Sequence, residues 1–170
     1  MREKRKLVLA SGVFDLIHPG HVAFLRKAKE AGGLNAELLV VVARDSTVRK
    51  LKGKSPILPE EQRKALVESL KPVDKVILGS ENFDIAGILE TYKPDIVAVG
   101  YDQDKVEAEV RKVVKERNLP VEIVRIEKFG PEEFNSSTKI KKLIVKLRVR
   151  GKASRRILQA YVCLASYPLA

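Results

Sequence analysis

The 170-residue sequence contains no tryptophan, one methionine, one cysteine and two histidines. A lone thiol, Cys163, excludes a disulfide framework within the chain and any cysteine-based zinc cluster. No uninterrupted apolar run approaches the roughly 20 residues of a membrane-spanning helix. Residues 7–10, behind the charged residues 1–6, are too short an apolar stretch for a signal peptide. The expectation is a single-domain cytoplasmic protein that does not associate with membranes. Three glutamines and four asparagines beside 32% charged residues match the composition of thermophile proteins, poor in labile groups and rich in ion-pairing ones.

Charge of one sign is scarce in one place only. The formal net charge is +11, which on its own suggests a polyanionic partner. Residues 139–170 carry nine basic side chains and no acidic one, whereas residues 1–138 carry 24 basic and 22 acidic side chains. The body is therefore nearly balanced. A nucleic-acid-binding module using the basic tail is one reading, but aromatics make up only 5% of the chain, and Tyr161 and Tyr167 alone fall in the tail, which disfavours a stacking platform. An amphipathic final helix with lysines on its wet side is the plainer alternative, and self-association of the chain through residues 157–170 is a third.

Five apolar, β-branched or leucine-rich runs, at residues 6–10, 38–43, 73–78, 95–99 and 121–126, predict strands covered on both faces. Segments of helical period lie between and after them, at 21–31, 59–70, 84–92 and 105–117. This alternation predicts an α/β fold, a doubly wound, Rossmann-like, five-stranded parallel sheet with helices on both faces. Ligands then belong at the carboxyl ends of the strands. A last helix after residue 137 presents Ile140, Leu143, Ile144 and Leu147 as one stripe. Gly151 ends it, so residues 1–150 are read as the domain and 151–170 as a basic, then apolar, helical extension.

The unusual residues cluster at those strand ends. His18, Pro19, Gly20 and His21 open the first helix, and they include both histidines of the chain. A helix N-terminus attracts anions through its free N–H groups and dipole, glycine admits close approach of a phosphate, and imidazoles can donate to oxygens that gain charge. An incidental cap and a surface histidine would be the bland account of the pair. Ser136, Ser137 and Thr138 offer hydroxyls and amides at the start of the last helix, with Lys139 adding charge, although an ordinary serine cap would explain them one at a time. Lys50, Lys52 and Lys54 sit on what reads as a loop beside the same edge. Asp15 is placed to orient His18 or the turn, or simply to form an Asx-turn.

The run from Gly12 to His21, G-V-F-D-L-I-H-P-G-H, resembles the signature of the HxGH nucleotidyltransferase superfamily, in its cytidylyltransferase-like branch. Residues 135–140, N-S-S-T-K-I, are similar to that superfamily's second motif, which holds the outer phosphates of the nucleotide. The resemblance implies catalytic roles for His18, His21 and Lys54, and phosphate binding by Lys52, Arg63 and Lys139. It further implies nucleotide contacts from Val13, Phe14, Pro19, Gly20, Ser136, Ser137 and Thr138. Asp102 reads either as a ligand for the ribose or purine edge or as a solvated loop carboxylate, and Phe129 either as a stacking partner for an adenine or flavin or as rim packing. No metal-ligating residue is implied; a divalent cation such as Mg2+ is expected to travel with the nucleotide.

Within the branch, Gly100, Tyr101, Asp102 and Gln103 are similar to the G-Y-D-Q of archaeal FAD synthases, where glycerol-3-phosphate cytidylyltransferases carry G-D-D-W. The stretches 41–45 and 56–63 also resemble the FAD synthase type. Before the serine motif, residues 128–135 lack the arginine of the cytidylyltransferases, and Phe134 and Asn135 stand where some FAD synthases have cysteines. The resemblance thus implies adenylyl transfer from ATP to FMN. A CTP-dependent cytidylyltransferase acting on an alcohol phosphate is the alternative within the same class.

Overall fold

The computed structural model describes residues 5–128 and 136–149, with the side chains of the latter segment described to residue 146. Along the chain run β1 (Leu7–Gly12), α1 (Pro19–Ala31), β2 (Glu37–Val42), α2 (Asp45–Lys52), α3 (Glu60–Glu68), β3 (Lys75–Leu78), α4 (Ile85–Tyr92), β4 (Ile96–Gly100), α5 (Asp104–Glu116), β5 (Glu122–Ile126) and α6 (Ser137–Val149). The strands form one parallel sheet in the order β3-β2-β1-β4-β5. The order reverses between β1 and β4, which is where a doubly wound sheet opens its crevice.

Alternation along the strands explains the two layers. Val8 and Ala10 of β1 join Leu25 and Ala28 of α1 and Val67 of α3 on one face. Leu9, between them, joins Leu89 of α4 and Val110 and Val113 of α5 on the other. Each such side chain contributes roughly 1.5–3 kcal/mol when fully buried. The sequence expectation of strands covered on both faces holds for β1, β2 and β4, but the edge strands β3 and β5 expose part of their length. Among the described residues no helix is long and apolar enough to cross a membrane.

Two differences from the sequence reading matter for the site. The segment read as a loop is helix α2, so Lys50 and Lys52 lie on its last turn and Gly53, in the left-handed conformation at φ 66°, ends it. Only eight residues long and strongly polar, α2 offers too few apolar positions for a visible period. The last helix starts where expected, yet of its described stripe residues Ile144 is exposed and Ile140 and Leu143 are half-buried, Leu147 lying outside the described side chains. The expected boundary at 150 and the extension 151–170 lie outside the described residues.

Arg63 requires a correction. The guanidinium is 0% exposed and so cannot reach a phosphate in solvent. It donates instead to the carbonyls of Leu58 (3.0 Å), Val13 (2.5 Å) and Ala43 (2.8 Å) and pairs with the Asp45 carboxylate at 2.7 Å. These partners are the loop ends after β1 and β2, the start of α2 and the approach to α3. Around it, α2 and α3 cap each other: the Asp45 amide donates to Glu60 at 2.6 Å, and the Glu60 amide returns a bond to Asp45 at 3.3 Å. Arg44 adds an ion pair to Glu60 at 2.7 Å. Removal of one partner from a buried ion pair costs on the order of 3–5 kcal/mol. Urea unfolding of Arg63→Ala is expected to show a loss of that size, whereas an unshifted midpoint would mean that these carbonyls find other donors.

Candidate active site

The first crossover builds the centre of the site. At the end of β1, a side chain on Gly12 would meet the Phe14 ring at 2.9 Å, so glycine there lets the ring fold back into the core. Phe14 and Leu16 then take left-handed backbone, both at φ 52°, and deliver the chain to His18 at the N-cap of α1. The His18 side chain makes no capping bond, which removes the bland account of it as a helix cap. His18 and His21 stack at 3.8 Å between ring centroids with 23° between planes, and the Phe14 ring lies 5.3 Å from that of His21.

Burial dominates the electrostatics of this pair. It pushes the His18 pKa down to about 4, against an upward pull from Asp102. It pushes His21 down to about 3, helped by the neighbouring charges of His18 and Lys52 and opposed by Asp15. Both imidazoles are therefore neutral near pH 7, each with one N–H to give. Both Nδ1 atoms are enclosed and have no hydrogen-bond partner within the protein.

Asp15 neither orients His18 nor forms an Asx-turn. Its carboxylate accepts from the amides of Ile57 and Leu58, all at 3.1 Å, and pairs with Lys141 of α6 at 2.6 Å. Burial opposes ionisation of this carboxyl, but Lys141 and the two amides outweigh it and hold the pKa below the usual value. The Ser137 hydroxyl donates to the Asp15 carbonyl. One residue thus joins the histidine turn, the segment leading into α3 and the first turn of α6.

Above these elements lies a cleft of about 640 Å3 at the carboxyl ends of the strands. Of the residues singled out in the sequence, it gathers Val13, Phe14, His18, Gly20, His21, Lys52, Lys54, Asp102, Ser136, Ser137 and Thr138. Pro19 shapes the first turn of α1 without lining the cleft, and Lys139 is exposed outside it. Phe129 lies outside the described residues. Lys141, which sequence reasoning passed over, does line the cleft; its spacing of four from Ser137, one helical turn, was the available signal. Gln103, read from the sequence only as part of the G-Y-D-Q resemblance, has a structural role as well. Its side chain accepts from the Gly100 amide (2.6 Å) and donates to the Ser11 carbonyl (2.9 Å), closing β4 against β1 at the point where the strand order reverses. Among the described residues no group of three or more His, Cys, Asp or Glu side chains converges as a metal cage.

A doubly wound parallel sheet with a neutral histidine pair at the N-terminus of its first helix, and a serine-rich helix start facing it, defines a nucleotidyltransferase. Residues 9–143 match the model of the cytidylyltransferase-like family, and the chain belongs to that family. It is 50% identical to the FAD synthase of Methanopyrus kandleri over 86% of this chain and 97% of that one. To the FAD synthase of Methanothermus fervidus it is 49% identical, over 82% and 95% respectively. Among solved structures, it matches a lipopolysaccharide core biosynthesis protein from Thermoplasma volcanium at 45% identity and TM-score 0.68, over 75% of this chain and all of that one. A pantothenate synthetase from Thermus thermophilus, at 16% identity and TM-score 0.55, over 88% of this chain and 65% of that one, shares the fold.

The two histidines provide a direct check. Neither imidazole should titrate between pH 8 and 5.5 in an NMR series on the free protein, and both should begin to protonate only nearer pH 4. Because each folded pKa lies below the unfolded value of about 6.5, the stabilisation is complete above pH 6.5 and is lost as pH falls toward the folded values. Midpoints near 6.5 would contradict the burial described here.

Proposed function

We propose that this protein is an FAD synthase that transfers the adenylyl group of ATP to FMN, releasing pyrophosphate. The observation that carries the reaction class is the neutral, stacked His18 and His21 pair at the start of α1. The acceptor is supported by identities of 44–50% to relatives named FAD synthase over most of the chain.

An oxygen of the FMN phosphate attacks the α-phosphorus of ATP in line; one P–O bond forms while the bond to the β-phosphate bridging oxygen breaks, and pyrophosphate departs. The attacking phosphate is largely ionised near neutral pH, with its second pKa at about 6, so no general base is required. His18 and His21 donate from Nε2 to the non-bridging α-phosphate oxygens. Being neutral, they stack without mutual repulsion and gain strength as charge develops on those oxygens. Gly20 and the first-turn amides of α1 support the same phosphate, and Val13 and Phe14 contribute backbone contacts.

Lys52 and Lys54 neutralise the phosphates around the reacting phosphorus. Ser136, Ser137 and Thr138 receive the outer phosphates at the start of α6, where Lys141 stands on the cleft side and Lys139 outside it. Asp102 serves the ribose or purine edge. A divalent cation would travel with the phosphates and neutralise charge on them. Residues 1–150 are assigned to the catalytic unit and 151–170 to an extension.

Incubation of the protein with ATP, a divalent cation and FMN should yield FAD, read by chromatography. Product only with CTP and an alcohol phosphate would replace this reading with the cytidylyltransferase one. Alanine at His18 or His21 should lower kcat by about 10²–10³-fold, the size seen for loss of one donor to a developing oxyanion. A near-wild-type rate in either variant removes the role given to that histidine.

A further inference from the structure

The lining of the cleft falls into two arms, one from the segment after β4 and one from the segments after β2 and β3. On the β4 side the exposed groups are Asp102, Asp104, Lys105, Glu127, Lys128 and one aromatic, Tyr101, 41% exposed with the Lys128 ammonium 6.0 Å from its ring centroid; this mostly charged set suits a ribose and a purine edge. The β2–β3 side is different. There the rim carries Leu51, 62% exposed on the last turn of α2, and Phe83, 41% exposed in the loop before α4. Behind them the cleft is lined by Thr47, Val48, Ile85 and Ile88.

The elements that carry the two exposed side chains, α2 and the loop after β3, are tied together by hydrogen bonds. Thr47, one turn before Leu51 on α2, donates to the Ser80 carbonyl at 3.4 Å, and Arg44 donates to the Gly79 carbonyl at 3.0 Å. Within the loop, the Asp84 amide donates to the Ser80 hydroxyl at 2.5 Å and the Phe83 amide to the Ser80 carbonyl at 3.4 Å. Together these keep Phe83 at φ 55°, a left-handed conformation that a bulky residue avoids. Strain of this kind persists where the surroundings enforce it and points to function.

We propose that Phe83 and Leu51 form the platform for the isoalloxazine ring of the acceptor. This rests on the reading of FMN as acceptor. A flat tricyclic ring requires an apolar wall and gains from an offset aromatic partner. Its phosphate, a dianion, requires cations between that wall and the histidines, and Lys52 directly follows Leu51 in the chain, with Lys54 two residues further on. Both lysines line the cleft and neither forms an ion pair with a described carboxylate. The flavin thus occupies the β2–β3 arm and the adenosine the β4 arm, with the phosphates meeting at His18 and His21.

Steady-state kinetics of Phe83→Ala and, independently, Leu51→Ser test this. Each should raise the KM for FMN by about tenfold, the equivalent of one lost aromatic or leucine contact of roughly 1.4 kcal/mol, and leave the KM for ATP unchanged. An unchanged KM for FMN in both variants, or a rise for ATP in place of FMN, overturns the platform while leaving the FAD synthase reading intact. Failure of the wild-type protein to form FAD at all overturns the acceptor reading instead. A second measurement does not depend on turnover. The chain has no tryptophan, so Phe83→Trp puts a single indole at the platform. Emission of FMN bound to that variant should be quenched several-fold relative to FMN bound to the wild type, because contact quenching requires stacking. Equal emission from the two complexes places the ring elsewhere.

Discussion

The buried guanidinium of Arg63 is the constraint on which the rest of the site depends. A parallel sheet leaves its strand ends as bare carbonyls, and the crossover chains must leave those ends in different directions. Arg63 accepts this geometry by donating to Val13 after β1, Ala43 after β2 and Leu58 before α3 at once. Asp45 then balances its charge from the start of α2. A cation with a rigid fork of donors suits this task better than an ammonium, since one side chain satisfies carbonyls that point in different directions. With those ends held, the turn through Phe14 and Leu16 has fixed anchor points, and the histidines arrive stacked.

Charge neutralisation around that knot leaves the cleft positive where it needs to be. Asp15 in the cleft lining, and Asp45 and Glu60 at the starts of α2 and α3, are each committed to partners: Lys141, Arg63 and Arg44 respectively. Burial works against ionisation of Glu60, but the Asp45 amide and Arg44 outweigh it and hold the carboxyl below its usual range. Carboxylates so engaged repel an incoming polyphosphate less than free ones would. The lysines of α2 and the loop after it are the groups that remain available.

The sequence made the strands and the histidine turn legible because both are local. Continuous apolar runs predict buried parallel strands, and His18 to His21 sit together at a helix start where their chemistry can be judged without the fold. Arg63, Asp15 and Gln103 could not be judged that way. Their partners stand 50, 42 and 92 residues distant at Val13, Ile57 and Ser11. Arg63 reads as a phosphate ligand only through the family resemblance, and the structure shows it buried and donating to the chain after β1 and after β2. Helix α2 was hidden for a different reason. Eight residues, six of them polar, stabilised by capping exchanges with α3 and by a glycine stop, carry too little periodicity to be seen in isolation.

Backbone strain repeats the same division between structure and function. Among the described residues, five non-glycine positions take positive φ: Phe14, Leu16, Phe83, Lys93 and Asn118. Lys93 and Asn118 have ordinary explanations, since Lys93 caps the end of α4 and Asn118 follows the end of α5, where a left-handed residue commonly stops a helix. The other three have none of that kind. Phe14 and Leu16 belong to the turn that presents the histidines, and Phe83 to the opposite wall of the same cleft. Each is a bulky residue in a conformation costing of order 1–3 kcal/mol; Phe14 is held by packing in the core, and the loop of Phe83 by bonds from α2. The strain is placed where a substrate must be met and spared where only a helix must end. That distribution ties the two walls to one reaction more firmly than either the histidine motif or the shape of the cleft does by itself.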